Sequence, residues 1–253
     1  LARSPVEGSC ELEEREAEHA LRVLRLRPGD ALIGLDGRGG TWPLRIRAIE
    51  DGRPLLECTA DPRSEPRPGD DGAPLAWIEI ALALPRGGRA EEVVDALTQL
   101  GAAAIAPIVC ERTHPEARAA SASRIDRWRR AAAEACKQSG RAWLPEIEPP
   151  RELARWLDDR TSAHVIALSL EAEESLSDAI ERCVAMGKSG WTASSPLCLA
   201  VGPEGGFSPS EQALFRARAV ELAGLGPHTL RIETAATAAL AIAAERVFRA
   251  RRA

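Results

Sequence analysis

The chain predicts an α/β domain with a mostly parallel sheet, preceded by a small β-barrel. From Leu75 onward, strand-like apolar runs alternate with helical stretches at the spacing of β-α units. Between Ala31 and Thr59, short strands are separated by tight Asp-Gly turns, a pattern that suits a small barrel. Between the two lies DPRSEPRPGDDGA, residues 61–73, rich in Pro, Gly and Asp and without apolar anchors, which reads as a linker. The expected division is a barrel domain over 1–70 and an α/β domain over 74–253.

In the first part, residues 11–24 read as a short acidic helix ending in Leu21, Val23 and Leu24. Pro28-Gly29-Asp30 turns the chain into a strand over Ala31–Leu35. Asp36-Gly37, extended by Gly39-Gly40, signals a hairpin. Along Trp42–Ile49 the apolar Leu44, Ile46 and Ala48 share one face, and Arg45 and Arg47 take the other. Asp51-Gly52 makes the next turn, and Pro54–Thr59 returns as a strand.

In the second part, strands are expected over Leu75–Leu84, Ala103–Val109, Val165–Leu170 and an apolar run ending at Val201. Helices are expected over Ala90–Leu100, Arg124–Ser139, Arg151–Leu157, Leu176–Met186 and Thr234–Arg249. Gly101 and Gly140 mark two helix ends. Ala235–Ala244 is so rich in alanine that another backbone can pack closely against it. Gly187-Lys188-Ser189 ends like a phosphate-binding loop. Arg182 stands where that motif needs glycine, however, and the tripeptide follows a helix, so a nucleotide triphosphatase is rejected.

Composition narrows the function classes. Hydrophobic residues make up 45% and charged residues 28% of 253, as in an ordinary globular protein. The longest apolar runs are too short for a bilayer, Leu75–Leu84 is interrupted by Glu79, and residues 1–20 lack a signal pattern. Six cysteines at 10, 58, 110, 136, 183 and 198 form no C-x-x-C pair, which suits reduced thiols and a cytoplasmic location. Cys110 and His114 are the one close Cys/His pair, too few for a metal site, and no metal is expected. The net charge of −5 argues against nucleic acid, but its distribution does not. Six arginines lie between Arg22 and Arg47, and Arg124–Arg141 is also basic, whereas Glu11–Glu18 and Glu171–Glu174 hold clustered acids.

The most informative stretch is Leu199–Leu240. A buried strand ending at Val201 breaks into Gly202-Pro203-Glu204-Gly205-Gly206 and restarts as a helix, with Ser208 as N-cap, Pro209 first in the helix and Glu211 closing a capping box. Three glycines around one carboxylate let a backbone approach a ligand closely. A second short strand is expected near Leu225–Ile232, carrying Arg231, with Glu233 and Thr234 opening the last helix. Polar turns between strands and helices are where an α/β domain places its site. Taken singly, a Gly-rich turn can be a plain connector, and an Arg-x-Glu pair can be an ion pair or a cap.

GPEGGFS followed by LG-x-x-x-LR-x-ETA resembles the SPOUT-class RNA methyltransferases, specifically the family that methylates a uracil N3 in 16S ribosomal RNA of the small subunit. RGGRAEEVVDALTQLGAAAIAPIVCERT and RW-x(7)-C-x-QSGR-x-x-x-PEI extend the likeness, and H-x-x-x-VLRLR-PGD with LDG, at His19–Gly37, resembles the family's PUA-like RNA-binding domain. The resemblance implies a deep C-terminal trefoil knot, S-adenosylmethionine as cofactor, a homodimer, and 16S ribosomal RNA or the small subunit as partner. It implies that Leu168, Gly202, Pro203, Gly205, Gly206, Leu225, Gly226, Leu230, Ile232 and Thr234 hold the cofactor, largely through main chain. RNA contacts would fall to Arg22, Arg25, Arg27, Arg112, Gln138 and Arg141.

A uracil N3 must lose its proton before it attacks a sulfonium methyl, so the enzyme positions the base and removes a proton or stabilises the anion. Glu204, taken as a buried carboxylate, is the candidate for the general base or for orienting the edge of the uracil, and Arg231 the candidate for holding the uracil carbonyl or a phosphate. Glu233 is either catalytic or pairs with Arg231 or caps the helix. The sequence departs from the family pattern at Arg89, Gln99, His228 and Ile232, and the last two lie beside the cofactor loop. The alternatives are a related enzyme acting on another base atom or a ribose hydroxyl, and a non-catalytic ribosomal RNA-binding factor.

Overall fold

The computed structural model describes residues 9–10, 12–85, 89–114, 122–187 and 190–252. Arg86-Gly87-Gly88, part of one matched motif, and Lys188-Ser189 of the rejected phosphate loop lie outside the described residues. Two compact units emerge: residues 1–67 together with 136–144, and residues 68–135 together with 145–253.

The smaller unit is an antiparallel sheet of β1 (Ser9–Cys10), β2 (Ala31–Leu35), β3 (Gly40–Glu50), β4 (Arg53–Cys58) and β5 (Arg63–Ser64), ordered β1-β4-β3-β2, with β5 on β3. Helix α1 (Glu14–Glu18) runs on into a π-type turn over His19–Val23. The alternation expected along β3 is present: Trp42, Leu44 and Ile46 are buried with Leu56, and Arg45 and Arg47 face solvent. Between β3 and β4, Asp51 and Gly52 both take positive φ, +47° and +75°, the twist a two-residue hairpin turn requires. Residues 136–144 join this unit because Gly39 N–H donates to Ala142 O, Leu144 N–H to Gly37 O and Trp143 Nε1 to Glu65 O.

The larger unit is built on a parallel sheet of β6 (Ile78–Ala83), β7 (Ala104–Val109), β8 (Glu146–Ile147), β9 (Arg151–Glu152), β10 (His164–Leu168), β11 (Leu197–Val201) and β12 (Glu221–Ala223). The order is β12-β10-β11-β6-β7-β8, with β9 also on β7, and every pairing is parallel. Strands β6, β7 and β11 are buried at every position, as strands covered on both faces must be. Among the described residues the helices of this unit are α2 (Ala90–Gln99), α3 (Ala122–Ser139), α4 (Leu153–Asp158), α5 (Leu176–Ala185), α6 (Pro209–Ala217) and α7 (Ile232–Arg252). The small residues of α7, Ala236, Ala239 and Ala243, are fully buried where it packs on α2, α5, β6 and β11. The 61–73 stretch is no free tether throughout. Pro68 and Gly69 are buried, and Gly69 N–H donates to Leu75 O.

Glu79, the charge that interrupts the first apolar run, is buried in β6. Trp156 Nε1 donates to its Oε1 at 2.7 Å, and Arg160 grips both oxygens, at 3.0 and 3.1 Å, while also pairing with Glu148. The Arg160 guanidinium stacks on the Trp156 ring, 5.3 Å from its centroid. Replacing Glu79 with Ala leaves the Arg160 charge half-compensated in the interior, so Glu79→Ala should cost about 3–5 kcal/mol. Chemical denaturation checks this, and a loss below about 1 kcal/mol would place the charge in solvent instead.

Within the smaller unit, Lys137 Nζ donates to both oxygens of Glu16, at 2.9 and 3.0 Å. Burial works to raise the Glu16 pKa, but the Lys137 hydrogen bonds and charge outweigh it and hold the carboxyl below its ordinary 4.5. A lowered folded-state pKa adds stability above the unfolded value and loses it as pH falls through the folded one. The melting-temperature gap between wild type and Lys137→Met should therefore be widest above pH 4.5 and narrow below it. A gap independent of pH would refute the pairing.

Candidate active site

Because β7, β10, β11 and β12 run parallel, the loops leaving their carboxyl ends emerge at one end of the sheet. Three of those loops border a cleft of about 340 Å³: Leu168–Glu171 after β10, Val201–Phe207 after β11, and Leu222 with Leu225–Leu230 around β12. Arg112, after β7, also borders it, as do Gln212 and Phe215 of α6 and Ala235 of α7. Ser169 N–H donates to Ala223 O, Gly224 N–H to Glu174 O and Leu176 N–H to Gly224 O, which stitch the first and third loops together.

The loop after β11 is a tight turn, with Gly206 N–H donating to Pro203 O at 2.8 Å. The capping box read from the sequence closes in both directions. Ser208 Oγ accepts from Glu211 N–H at 3.2 Å, and Glu211 Oε2 accepts from Ser208 N–H at 2.7 Å. Glu211 is buried, and its second oxygen accepts from Glu111 N–H at 2.9 Å. Next to that contact, Arg112 Nη1 donates to Gly205 O at 2.6 Å and reaches Phe207 O at 3.5 Å. Phe207 packs edge-on against Phe215, with centroids 4.7 Å apart.

The structure brings Leu168, Gly202, Pro203, Glu204, Gly205, Gly206, Leu225, Gly226 and Leu230 to this one cleft. Ile232 does not border it and is buried in the core, because it opens α7 on that helix's inward face. Thr234, exposed, does not border it either. Glu204 is exposed rather than buried, since it stands at the outer corner of the turn. The strand expected at Leu225–Ile232 is absent. The short strand comes earlier, as β12, and Gly224, Gly226 and Pro227 break the chain into an irregular bend. Arg231 is exposed and outside the cleft, with its carbonyl accepting from Ala235 N–H. Glu233 pairs with Arg89 at 2.9 Å and not with Arg231.

Sequence reasoning passed over Ser169, Leu170 and Glu171 as site residues, although they follow Leu168 directly and share its loop. Among the residues assigned to RNA, Arg22 pairs with Glu18 at 2.7 Å, with both side chains exposed. Arg25 is exposed with φ of +56°, Arg27 N–H donates to Asp30 Oδ2, and Gln138 is exposed. Arg141 is half-buried as a whole residue, and burial lowers its pKa.

Burial pushes the Cys110 pKa far up and the nearby Glu211 charge adds to that, while Cys110 N–H donates to Thr113 Oγ1. Ligand atoms of His164, Cys183 and Glu221 lie within 4.8 Å of one another, at the opposite end of β10 from the cleft. Arg182 lies 2.8 Å from the same Glu221 oxygen that faces His164.

A Cβ added at Gly202 would meet the Phe207 ring at 3.0–3.2 Å, and that ring is held by Phe215. A Cβ at Gly205 would meet only the Arg112 side chain, at 3.3 Å. Gly202→Ala should therefore cost about 1–3 kcal/mol in thermal stability, and Gly205→Ala markedly less. Equal costs would mean that the Phe207 ring yields freely.

The model of an RNA methyltransferase domain matches residues 72–244, and that of an RNA methyltransferase PUA domain matches residues 12–57. The ribosomal RNA small subunit methyltransferase E of Synechocystis is 31% identical over 245 residues, covering 93% of this chain and 73% of that protein. The protein of the same name from Bacillus subtilis is 26% identical, covering 89% and 85%. Among solved structures, ribosomal RNA small subunit methyltransferase E from Neisseria gonorrhoeae bound to S-adenosyl methionine superposes with a TM-score of 0.75 at 26% identity, covering 95% of this chain and 93% of that one. A methyltransferase from Legionella pneumophila in complex with the same cofactor has the same score and identity. With a family match over most of its length, a relative of that likeness and a shared fold, this chain belongs to the RNA methyltransferase family, with a PUA domain ahead of the catalytic one.

Proposed function

We propose that this chain transfers a methyl group from S-adenosylmethionine to N3 of a uridine in 16S ribosomal RNA of the small subunit. The observation that carries this reading is the convergence of the Gly202–Gly206 and Leu225–Leu230 bends on one cleft, in a chain similar to ribosomal RNA small subunit methyltransferase E along nearly its whole length. We place the domain boundary in the 61–73 stretch, with RNA capture by the first domain, residues 1–70, and methyl transfer by residues 74–253. The reading includes the trefoil knot and homodimer that the family resemblance implies, and a cytoplasmic setting, where the substrate is. Among the described residues no helix is long and apolar enough to cross a membrane.

The cleft suits the cofactor. Its volume of about 340 Å³ falls within the range of small-molecule sites, and the lining combines apolar Leu168, Leu225 and Leu230 with exposed main chain at Gly205, Gly206 and Gly226. An adenine and ribose can be read there by backbone groups, with no side chain in the way. The bound cofactor supplies an electrophilic methyl group. The protein's part is to hold the loops of Gly202–Gly206 and Leu225–Leu230 in place, to align the pyrimidine ring, and to take up the N3 proton. Glu204, exposed at the edge of the cleft, accepts that proton on its carboxylate. Arg231, next in sequence to the cleft residue Leu230, meets an RNA phosphate.

Small subunits lacking the modification, incubated with the protein and S-adenosylmethionine and then digested for nucleoside mass spectrometry, should yield N3-methyluridine. Methylation at another base atom or at a ribose hydroxyl would replace this reading with a related one. In single-turnover assays, Glu204→Gln should slow methyl transfer by about 10²–10⁴-fold. A rate within about threefold of wild type would move the proton acceptor to another group.

A further inference from the structure

A uracil that loses its N3 proton spreads negative charge onto its two carbonyl oxygens, so the cleft needs a cation placed before the substrate arrives. Arg231, the residue the sequence offered, does not border the cleft. Arg112 does, and it approaches from a separate strand, β7, with its guanidinium beside the Gly205 carbonyl of the loop that carries Glu204. We infer that Arg112 is the cation of this site: it fixes the glycine loop through the Gly205 carbonyl and donates its remaining N–H groups to a carbonyl oxygen of the target uracil.

Three features support the assignment, which rests on the function proposed above. The chain just ahead of Arg112 is anchored: Glu111 N–H donates to the buried Glu211 carboxylate, and Cys110 N–H to Thr113 Oγ1. A group fixed in this way loses little freedom when it meets its ligand. The two hydrogen bonds its side chain makes go to neutral carbonyls, Gly205 O and Phe207 O, and among the described residues no carboxylate pairs with it. Its charge acts on the adjacent exposed Glu111 carboxylate, but carboxylates do not grip it as they grip Arg160 and Arg182. A guanidinium also offers five donors in a planar fork, so one edge can keep the loop while another meets the base. The chemistry balances without further groups: the N3 proton passes to Glu204, the N3 lone pair forms the bond to the methyl carbon as the sulfonium S–CH3 bond breaks and its electron pair stays on sulfur, which leaves as the neutral thioether S-adenosylhomocysteine, and Arg112 keeps its protons throughout.

The test compares wild type with Arg112→Lys and Arg112→Ala. S-adenosylmethionine affinity is measured by calorimetry, and single-turnover methyl transfer is followed against pH at saturating cofactor and RNA. Lysine can keep a point contact to Gly205 O but cannot span loop and base together. Arg112→Lys should therefore bind the cofactor within about threefold of wild type while transferring methyl about 10²–10³-fold more slowly. The rising limb of its pH profile, which reports N3 deprotonation, should move to higher pH. Arg112→Ala should weaken both binding and transfer. If both variants lose transfer only in proportion to cofactor affinity, with the pH limb unmoved, Arg112 is a loop anchor alone and the inference fails. Unchanged transfer in both variants overturns it equally. A wild type that makes no N3-methyluridine brings down the proposed function first, and this inference with it.

Discussion

The site depends on one buried carboxylate. Glu211 accepts a hydrogen bond from Ser208 at the start of its own helix and another from Glu111, a hundred residues earlier in the chain. The first bond ends the glycine loop at a fixed point, and the second ties that loop to the exit of β7. A charge at the positive end of a helix, with backbone N–H groups on both oxygens, is among the better-compensated ways to bury a carboxylate. With Glu211 in place, the Gly202–Phe207 backbone has few alternatives. It is fixed by the strand behind it, the helix cap ahead of it and Arg112 beside it. Recognition through main chain works only if the main chain is held still.

The other end of the sheet is organised differently. The Glu79–Arg160–Glu148 cluster involves the first half of β6 and the chain around α4, and it uses charge to hold packed elements rather than to meet a ligand. Its arginine is saturated by two carboxylates, whereas Arg112 at the carboxyl ends touches only carbonyls. A parallel sheet makes this separation natural, because its loops divide into two sets at opposite edges. One set can be fully compensated for stability, and the other can leave a cation with no carboxylate hydrogen-bonded to it.

Much of this was legible in the sequence, and what was not has physical causes. The alternation of apolar runs located the sheet, and Ser208, Pro209 and Glu211 located a helix start to the residue, because both signals are local. The apolar and β-branched spacing of Leu225 to Ile232 mimicked a strand, but Gly224, Gly226 and Pro227 deny the segment regular pairing, and the strand starts four residues earlier, at Glu221. Glu233 was read against its sequence neighbour Arg231, yet its partner is Arg89, from a distant part of the chain. Residues 136–144 lie within the α/β stretch of the sequence but cluster with the smaller unit through Gly37, Gly39 and Glu65. Long-range pairings of this kind leave no periodic trace. Arg112 is the sharpest case. Nothing near it in sequence suggests the Gly205 carbonyl, and only the parallel order of the strands places the two together.

The exposure of Glu204 bears on how the reaction is controlled. A carboxylate in water is a weak base toward uracil N3, and a positively charged neighbour in water is screened. Both groups become effective only when solvent is excluded, and in this cleft Glu204, Gly205, Gly206 and Arg112 all lie open on the outer side. In the proposed function, the RNA covers that side. In the proposed mechanism, docking of the correct base lowers the local dielectric around Glu204 and Arg112 at the moment the N3 proton must move, which links catalysis to recognition. A free nucleoside, unable to cover the loop, would gain little from either group. On this view the cleft selects its target as much by how completely the surrounding RNA seals it as by contacts to the base.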